Sequence, residues 1–254
     1  MAEQYDWLML SLVPITGFIA GFINTLAGSG SLITLPVLIV LGLPANVANG
    51  TNRVGILIQN IVAVSTFWRH GRLKGQRPAP LIVPSVIGAI IGAQLAVNLD
   101  ETLLRRTIAG LMIFMLFLVI IRPRRWLEAH DGEPGLAYPW RFVIFLAIGA
   151  YGGFIQAGVG FFLLAGLVLG AGYSLVGSNA VKNLIVLFFT IAALAVFVWN
   201  DQVRWGLGLL LAAGNAGGAW VAARMAIARG APFVRWMLIV ILTLASIRML
   251  FESF

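Results

Sequence analysis

A chain of 254 residues that is 60% hydrophobic and only 10% charged leaves no room for a soluble domain of any size. Its net charge of +8 sits mostly in loop Arg and Lys residues, which is the cytoplasmic-loop bias of membrane proteins rather than a nucleic-acid footprint. The absence of cysteine excludes disulfides, thiol catalysis and Cys-ligated metal, and His70 and His130 lie in hydrophilic stretches that argue against a His metal site.

Apolar runs long enough to cross a bilayer as helices recur along the chain, so an all-α polytopic membrane protein is expected. Glu3 and Asp6 precede the first run without a Lys or Arg, unlike a cleaved signal peptide. Trp7 to Leu26 is a full crossing. It breaks at Ala27-Gly28-Ser29-Gly30-Ser31, and the piece from Leu32 to Leu43 is too short to cross upright. That piece is either half of a re-entrant hairpin or a short tilted crossing. Val47 to Trp68 spans next, then a basic loop over 69–77. Pro80 to Val97 spans, with Gly88 and Gly92 four residues apart, a spacing that lets helices approach closely. After the acidic turn at Asp100-Glu101, Leu103 to Ile121 spans, and Arg122 to Arg125 stop it.

Residues 126–139 form the longest polar stretch and are expected to be a cytoplasmic linker. It divides a first membrane repeat, 1–125, from a second, 140–254. The second repeats the first in order. Trp140 to Ala157 is apolar, Gly158 to Gly160 breaks it, and a short piece follows over Phe161 to Leu169. Leu175 to Trp199 spans, a short loop carries Asp201, and Trp205 to Ala223 spans with Gly214 and Gly218. A basic connection over 224–235 precedes the last span, Trp236 to Leu250.

Gly21 and Asn24 match Gly153 and Gln156 at an offset of 132 residues. Gly42 matches Gly172, Asn49 matches Asn179 and Phe67 matches Phe197, all at 130. Several matches in one order, with matching breaks, indicate internal duplication. The positive-inside bias puts 69–77, 122–139 and 224–231 in the cytoplasm, with the loops at Asp100-Glu101 and Asp201 and both termini outside. Arg105 and Arg106, near an external end, run against this. Corresponding loops then fall on opposite sides, which predicts two inverted-topology repeats with broken or re-entrant helices and a substrate site at their interface.

The candidate site residues follow from cost. Polar groups inside a span are expensive unless they line a cavity or meet a partner. Arg53 and Lys182 lie inside spans, and no acidic residue lies in any predicted span core, which points to an anionic ligand. Snorkelling, or pairing with helix-end carbonyls of the other half, is the competing reading. The break at Gly28, Ser29, Gly30 and Ser31 frees backbone N–H groups and adds two hydroxyls, a setting that suits an anion; tight packing with serine capping is its alternative. Asn24, Thr51, Asn52, Gln156, Asn179 and Asn183 supply further donors, or else bind helix to helix. The second break is apolar, with Phe161-Phe162 expected opposite Ser29-Gly30 as packing or a gate.

These residues favour a secondary anion carrier. An anion channel, an intramembrane enzyme and a non-transporting assembly subunit are the rivals, and no acid–base pair or metal motif supports the enzyme. Asn24, the run Ala27 to Ser31, Leu35-Pro36, Gly42 and Ala48 to Asn52 together resemble the TauE/SafE family of membrane transporters. Gly153 to Gln156 and Lys182 resemble its second half. The resemblance implies export, sometimes uptake, of sulfite, organosulfonates or similar small sulfur-containing anions across the bacterial inner membrane; a carrier of another small organic anion, a carboxylate, is the alternative. The expected partners are a small anionic substrate and the lipid bilayer, with no nucleic acid and no cofactor; a homo-oligomer is compatible with the sequence.

Overall fold

The computed structural model describes residues 7–121 and 135–252, all helices and turns with no strand among them. Most of the linker expected over 126–139, and the stop at Arg122 to Arg125, lie outside the described residues. The helices are α1 (Trp7–Leu26), α2 (Ser31–Val40), α3 (Ala45–Arg69), α4 (Ala79–Asn98), α5 (Glu101–Ile121), α6 (Tyr138–Phe154), α7 (Val159–Ala165), α8 (Leu175–Trp199) and α9 (Trp205–Glu252). A single π turn, Gly166–Gly170, extends α7.

By length and composition, Ala79–Asn98, Leu175–Trp199 and Trp205–Gly230 can each cross a membrane. Trp68, Trp140, Trp199, Trp205 and Trp236 are exposed near the ends of helical arms, where amphipathic rings belong in a bilayer protein. At ten residues, α2 is roughly 15 Å long and cannot cross. Gly42 ends it at φ +87°, a left-handed position that glycine takes without steric cost, and Gly172 closes the π turn at φ +74°.

The basic connection expected over 224–235 is not a loop. Its alanines and methionine continue α9 to Gly230, where φ +69° and ψ −161° break the helix ahead of Pro232. Arg224 lies over the Trp220 ring at 4.6 Å and Arg229 over Phe233 at 5.2 Å, so the charges ride on aromatic neighbours of the same helix.

The packing is reciprocal. α1 lies along α9, and α4 lies along α6, while α3 and α8 meet each other between them. Glycines set both contacts. A Cβ on Gly214 or Gly218 would stand about 2 Å from the carbonyl of Pro14 or Phe18, and one on Gly17 would meet Leu211 O at 2.5 Å. Likewise a Cβ on Gly88 or Gly92 would collide with Leu146 O or Ala150 O, and one on Gly149 or Gly153 with Ser85 O or Ala89 O. Each half therefore packs its first helix on the fourth helix of the other.

Candidate functional site

The two broken helices, α1 and α6, stop inside the bundle. A helix end leaves up to four carbonyls without partners, and in an apolar surround each must find one. The chain supplies them from the opposite half. Lys182 on α8 donates its Nζ to the carbonyls of Asn24 at 3.2 Å and Thr25 at 2.7 Å, in the last turn of α1. Asn183 Nδ2 also reaches Thr25 O, at 3.2 Å. Arg53 on α3 donates NH1 to Gly152 O at 3.2 Å and NH2 to Gly153 O, in the last turn of α6. Asn49 Nδ2 donates to Phe154 O at 2.7 Å. A cation at a helix C-terminus is also favoured by the macrodipole. Both cations are fully buried and both have protein partners, in backbone carbonyls rather than carboxylates.

Arg53 makes further contacts. NH1 donates to Gln156 Oε1 at 3.2 Å, NH2 to Asn49 Oδ1 at 3.4 Å, and the guanidinium lies 4.6 Å above the Phe197 ring. Its Nε has no partner within the described residues. Gln156 sits in the α6–α7 break at φ +62°, an uncommon backbone state for a residue with a Cβ. Its side chain is held at both ends, since Nε2 donates to Thr190 Oγ1 at 3.0 Å.

A small cavity lies where the two breaks meet. Asn24, Gly28, Gln59, Asn60, Gln156, Val159, Gly160, Lys182, Asn183 and Val186 line it, and the space open to a water's centre is about 10 Å³, room for one water. Gly28 and Gly160 meet at its wall. The Gly160 N–H donates to Gly28 O at 3.3 Å, and a Cβ on either residue would fall 2.1–2.2 Å from the other's Cα. By backbone conformation the left-handed Gly28, φ +79°, corresponds to Gly158, φ +73°. Val159-Gly160-Phe161 thus stand opposite Ser29-Gly30-Ser31, two residues from the alignment expected. Phe162 packs edge-on against Tyr151 at 5.4 Å, and Phe161 packs on the apolar cluster around Leu26 and Phe67.

Of the residues singled out from the sequence, Asn24, Gly28, Gln156, Lys182 and Asn183 line this cavity. Arg53 stands behind Gln156. Ser31 is tied to Asn52, whose Nδ2 donates to its hydroxyl at 3.2 Å, while Thr34 donates to Asn52 Oδ1 at 2.7 Å. Thr51 Oγ1 accepts from Arg204 N–H at 2.9 Å, just ahead of α9. Asn179 accepts from Asn183 and Arg53's neighbour Asn49 has turned to α6. Ser29 and Gly30 are buried in the α1–α2 break without lining the cavity. Gln59 and Asn60 are additions. Two adjacent amides in mid-span, beyond Arg53 on α3, were the available signal.

The sequence profile of the family "Sulfite exporter TauE/SafE" matches residues 13–249. The chain belongs to the TauE/SafE family. A Sinorhizobium protein named "Probable membrane transporter protein ORF9" is 29% identical over 95% of this chain and 92% of its own length. A Haemophilus influenzae "Probable membrane transporter protein" is 24% identical over 96% of both chains. The Escherichia coli K12 protein YfcA, named likewise, is 26% identical over 97% of this chain and 91% of its own. This TauE/SafE protein is a membrane transporter, not an enzyme.

Proposed function

We propose that this transporter is a secondary carrier that exports small sulfur-containing anions, sulfite or organosulfonates, across the bacterial inner membrane by alternating access. The observation that carries the reading is the charge balance around the cavity. Arg53 and Lys182 are buried with neutral partners, and the carbonyls they donate to do not cancel their charge. Among the described residues the carboxylates are Asp100, Glu101 and Asp201, at helix ends, and Glu252 at the end of α9. An oxyanion offsets the cost of the uncompensated cations. The substrate is then held by Lys182 and the cavity amides, with Arg53 acting through Gln156.

Reciprocal packing of α1 on α9 and of α4 on α6 supports two repeats, roughly 1–125 and 140–254. The basic loop at 69–77 and the basic stretch of α9 from Arg224 to Gly230 support their inversion. Bacterial relatives that span nearly the whole chain support the inner membrane.

Purified protein in proteoliposomes, offered sulfite, taurine, isethionate, sulfolactate and carboxylate controls, tests the reading. Saturable flux of the sulfur anions, lost in Lys182→Met, is expected. Preferred carboxylate flux, or non-saturating voltage-driven current, would instead establish a carboxylate carrier or a channel.

A further inference from the structure

Two groups at the cavity stand out, a donor on Lys182 and a fully buried acceptor on Asn60. Lys182 Nζ has three N–H donors and spends two on Asn24 O and Thr25 O. Asn60 is fully buried on α3 and lines the same cavity. Its Nδ2 turns back to donate to Ile56 O at 2.7 Å, and since a carbonyl only accepts, that bond fixes which end of the amide is which. Oδ1 is left with no partner among the described residues. The other amides at the cavity are engaged with protein: Asn24 Nδ2 with Gln59 Oε1 at 3.1 Å, Gln156 with Arg53 and Thr190, and Asn183 with Thr25 and Asn179.

A cation beside an unpaired acceptor is a two-point reader. We propose that Lys182 and Asn60 together form a subsite that selects a monoanion bearing its own hydrogen-bond donor, such as a hydroxyl- or amino-substituted sulfonate or hydrogensulfite. The anionic oxygen accepts from Lys182, and the substrate's O–H or N–H donates to Asn60 Oδ1. An isosteric anion without that hydrogen leaves Oδ1 buried and unpaired, and a site built to hydrogen-bond a group rejects the analogue that lacks it. The ten-ångström-cubed space admits only a water, so substrate enters when Gly28 and Gly160 part. Asn60 then stays on the α3 helix, and Lys182 on α8, as the fixed walls of the opened site. The inference rests on the anion-carrier reading above and adds to it which anions are taken and by which residue.

Isethionate and 1-propanesulfonate differ by a hydroxyl in place of a methyl at nearly equal size. Proteoliposomes containing the full chain, given both at equal concentration with an imposed proton gradient, report the selection as the ratio of the two inside the vesicles by mass spectrometry. At least about tenfold enrichment of isethionate is expected for the wild type. Asn60→Leu should bring the ratio near one, read as a ratio whatever the total flux. A wild-type ratio near one overturns the proposal even if the variant fails to fold, as does an Asn60→Leu ratio equal to wild type. If neither anion enters above protein-free vesicles, the carrier reading itself falls, and the subsite with it.

Discussion

Gly28 and Gly160 touch backbone to backbone, the N–H of Gly160 donating to the carbonyl of Gly28 at 3.3 Å. No side chain fits between them. A methyl on Gly160 would stand 2.2 Å from Gly28 Cα, so Gly160→Ala cannot close the cavity as seen here. The expected result is a transporter that inserts but turns over at least about tenfold more slowly, checked by flux against size-exclusion behaviour. Gly75→Ala is the control. Gly75 has φ +80° and nothing within 4 Å, so it carries only the backbone cost of roughly 1–2 kcal/mol and should still transport.

The interhelical glycines act on assembly rather than on closure. A Cβ on Gly92 would meet Ala150 O at 1.9 Å, and backbone cannot give way cheaply. Gly92→Val should force α4 off α6 and lose most monodisperse protein on purification. Gly110 on α5 has nothing within 4 Å, and Gly110→Ala should purify as wild type. Fluorescence-detected size exclusion of the two variants side by side checks the contrast.

The spans and breaks were legible in the sequence because hydropathy and glycine set them directly. Leu175–Trp199 appears with the same bounds in both. The site was legible only as a set of misplaced polar residues. What the sequence could not give was the direction in which each points. Arg53 finds carbonyls 99 and 100 residues away and Lys182 finds one 158 residues away, because which helix ends in front of them depends on how the halves interlock. Asn60 drew no notice for the same reason: an amide in a span is indistinguishable from helix glue until its own Oδ1 is seen without a partner. The continuous helix through Arg224 and Arg229 was missed because basic residues near Gly and Pro resemble a loop, while their guanidinium groups lie over aromatic rings.

Thr51 shows how a polar residue in the motif can serve structure. Its hydroxyl accepts the Arg204 N–H at 2.9 Å, one of the donors left unpaired ahead of α9. Thr51→Val keeps the shape and removes the acceptor. It should lower stability by about 1 kcal/mol and leave the preference among anions unchanged. Thr51→Ser should restore the lost stability. Thermal unfolding in detergent together with the two-anion ratio checks both statements.

The proposed inversion of the halves makes a labelling prediction. In the proposed repeats the α3–α4 loop and the α8–α9 loop take the same place, so inversion would put them on opposite sides of the membrane. The chain has no native cysteine. Lys74, Asn200 and Arg229 are exposed, and none has the positive φ that makes Gly75, Asp201 and Gly230 poor sites for substitution. Single variants Lys74→Cys and Arg229→Cys should resist a membrane-impermeant maleimide added to intact cells, and Asn200→Cys should react. Equal reactivity of Lys74→Cys and Asn200→Cys would mean the repeats are parallel.

Arg53 and Lys182 each do two things that substitution can separate. As helix caps they satisfy carbonyls, and a hydrogen bond from a charged donor contributes about 1.5–3 kcal/mol. As charges they set the potential of the cavity. Arg53→Lys keeps the charge but loses the fork that reaches Gly152, Gly153 and Gln156 together. It should insert, melt at a lower temperature and transport more slowly. Lys182→Met keeps most of the bulk and removes the charge, while Asn183 continues to serve Thr25 O. It should fold with a modest loss of stability and lose anion flux by far more than that loss explains. Arg53→Met should do both, because no other side chain reaches Gly152 O in its place among the described contacts. The comparison to make is flux per folded molecule, with folded protein counted by size exclusion. If Arg53→Met and Lys182→Met are recovered as wild type and move sulfite or isethionate at nearly the wild-type rate, the two cations are caps alone. The anion site then lies elsewhere in the bundle.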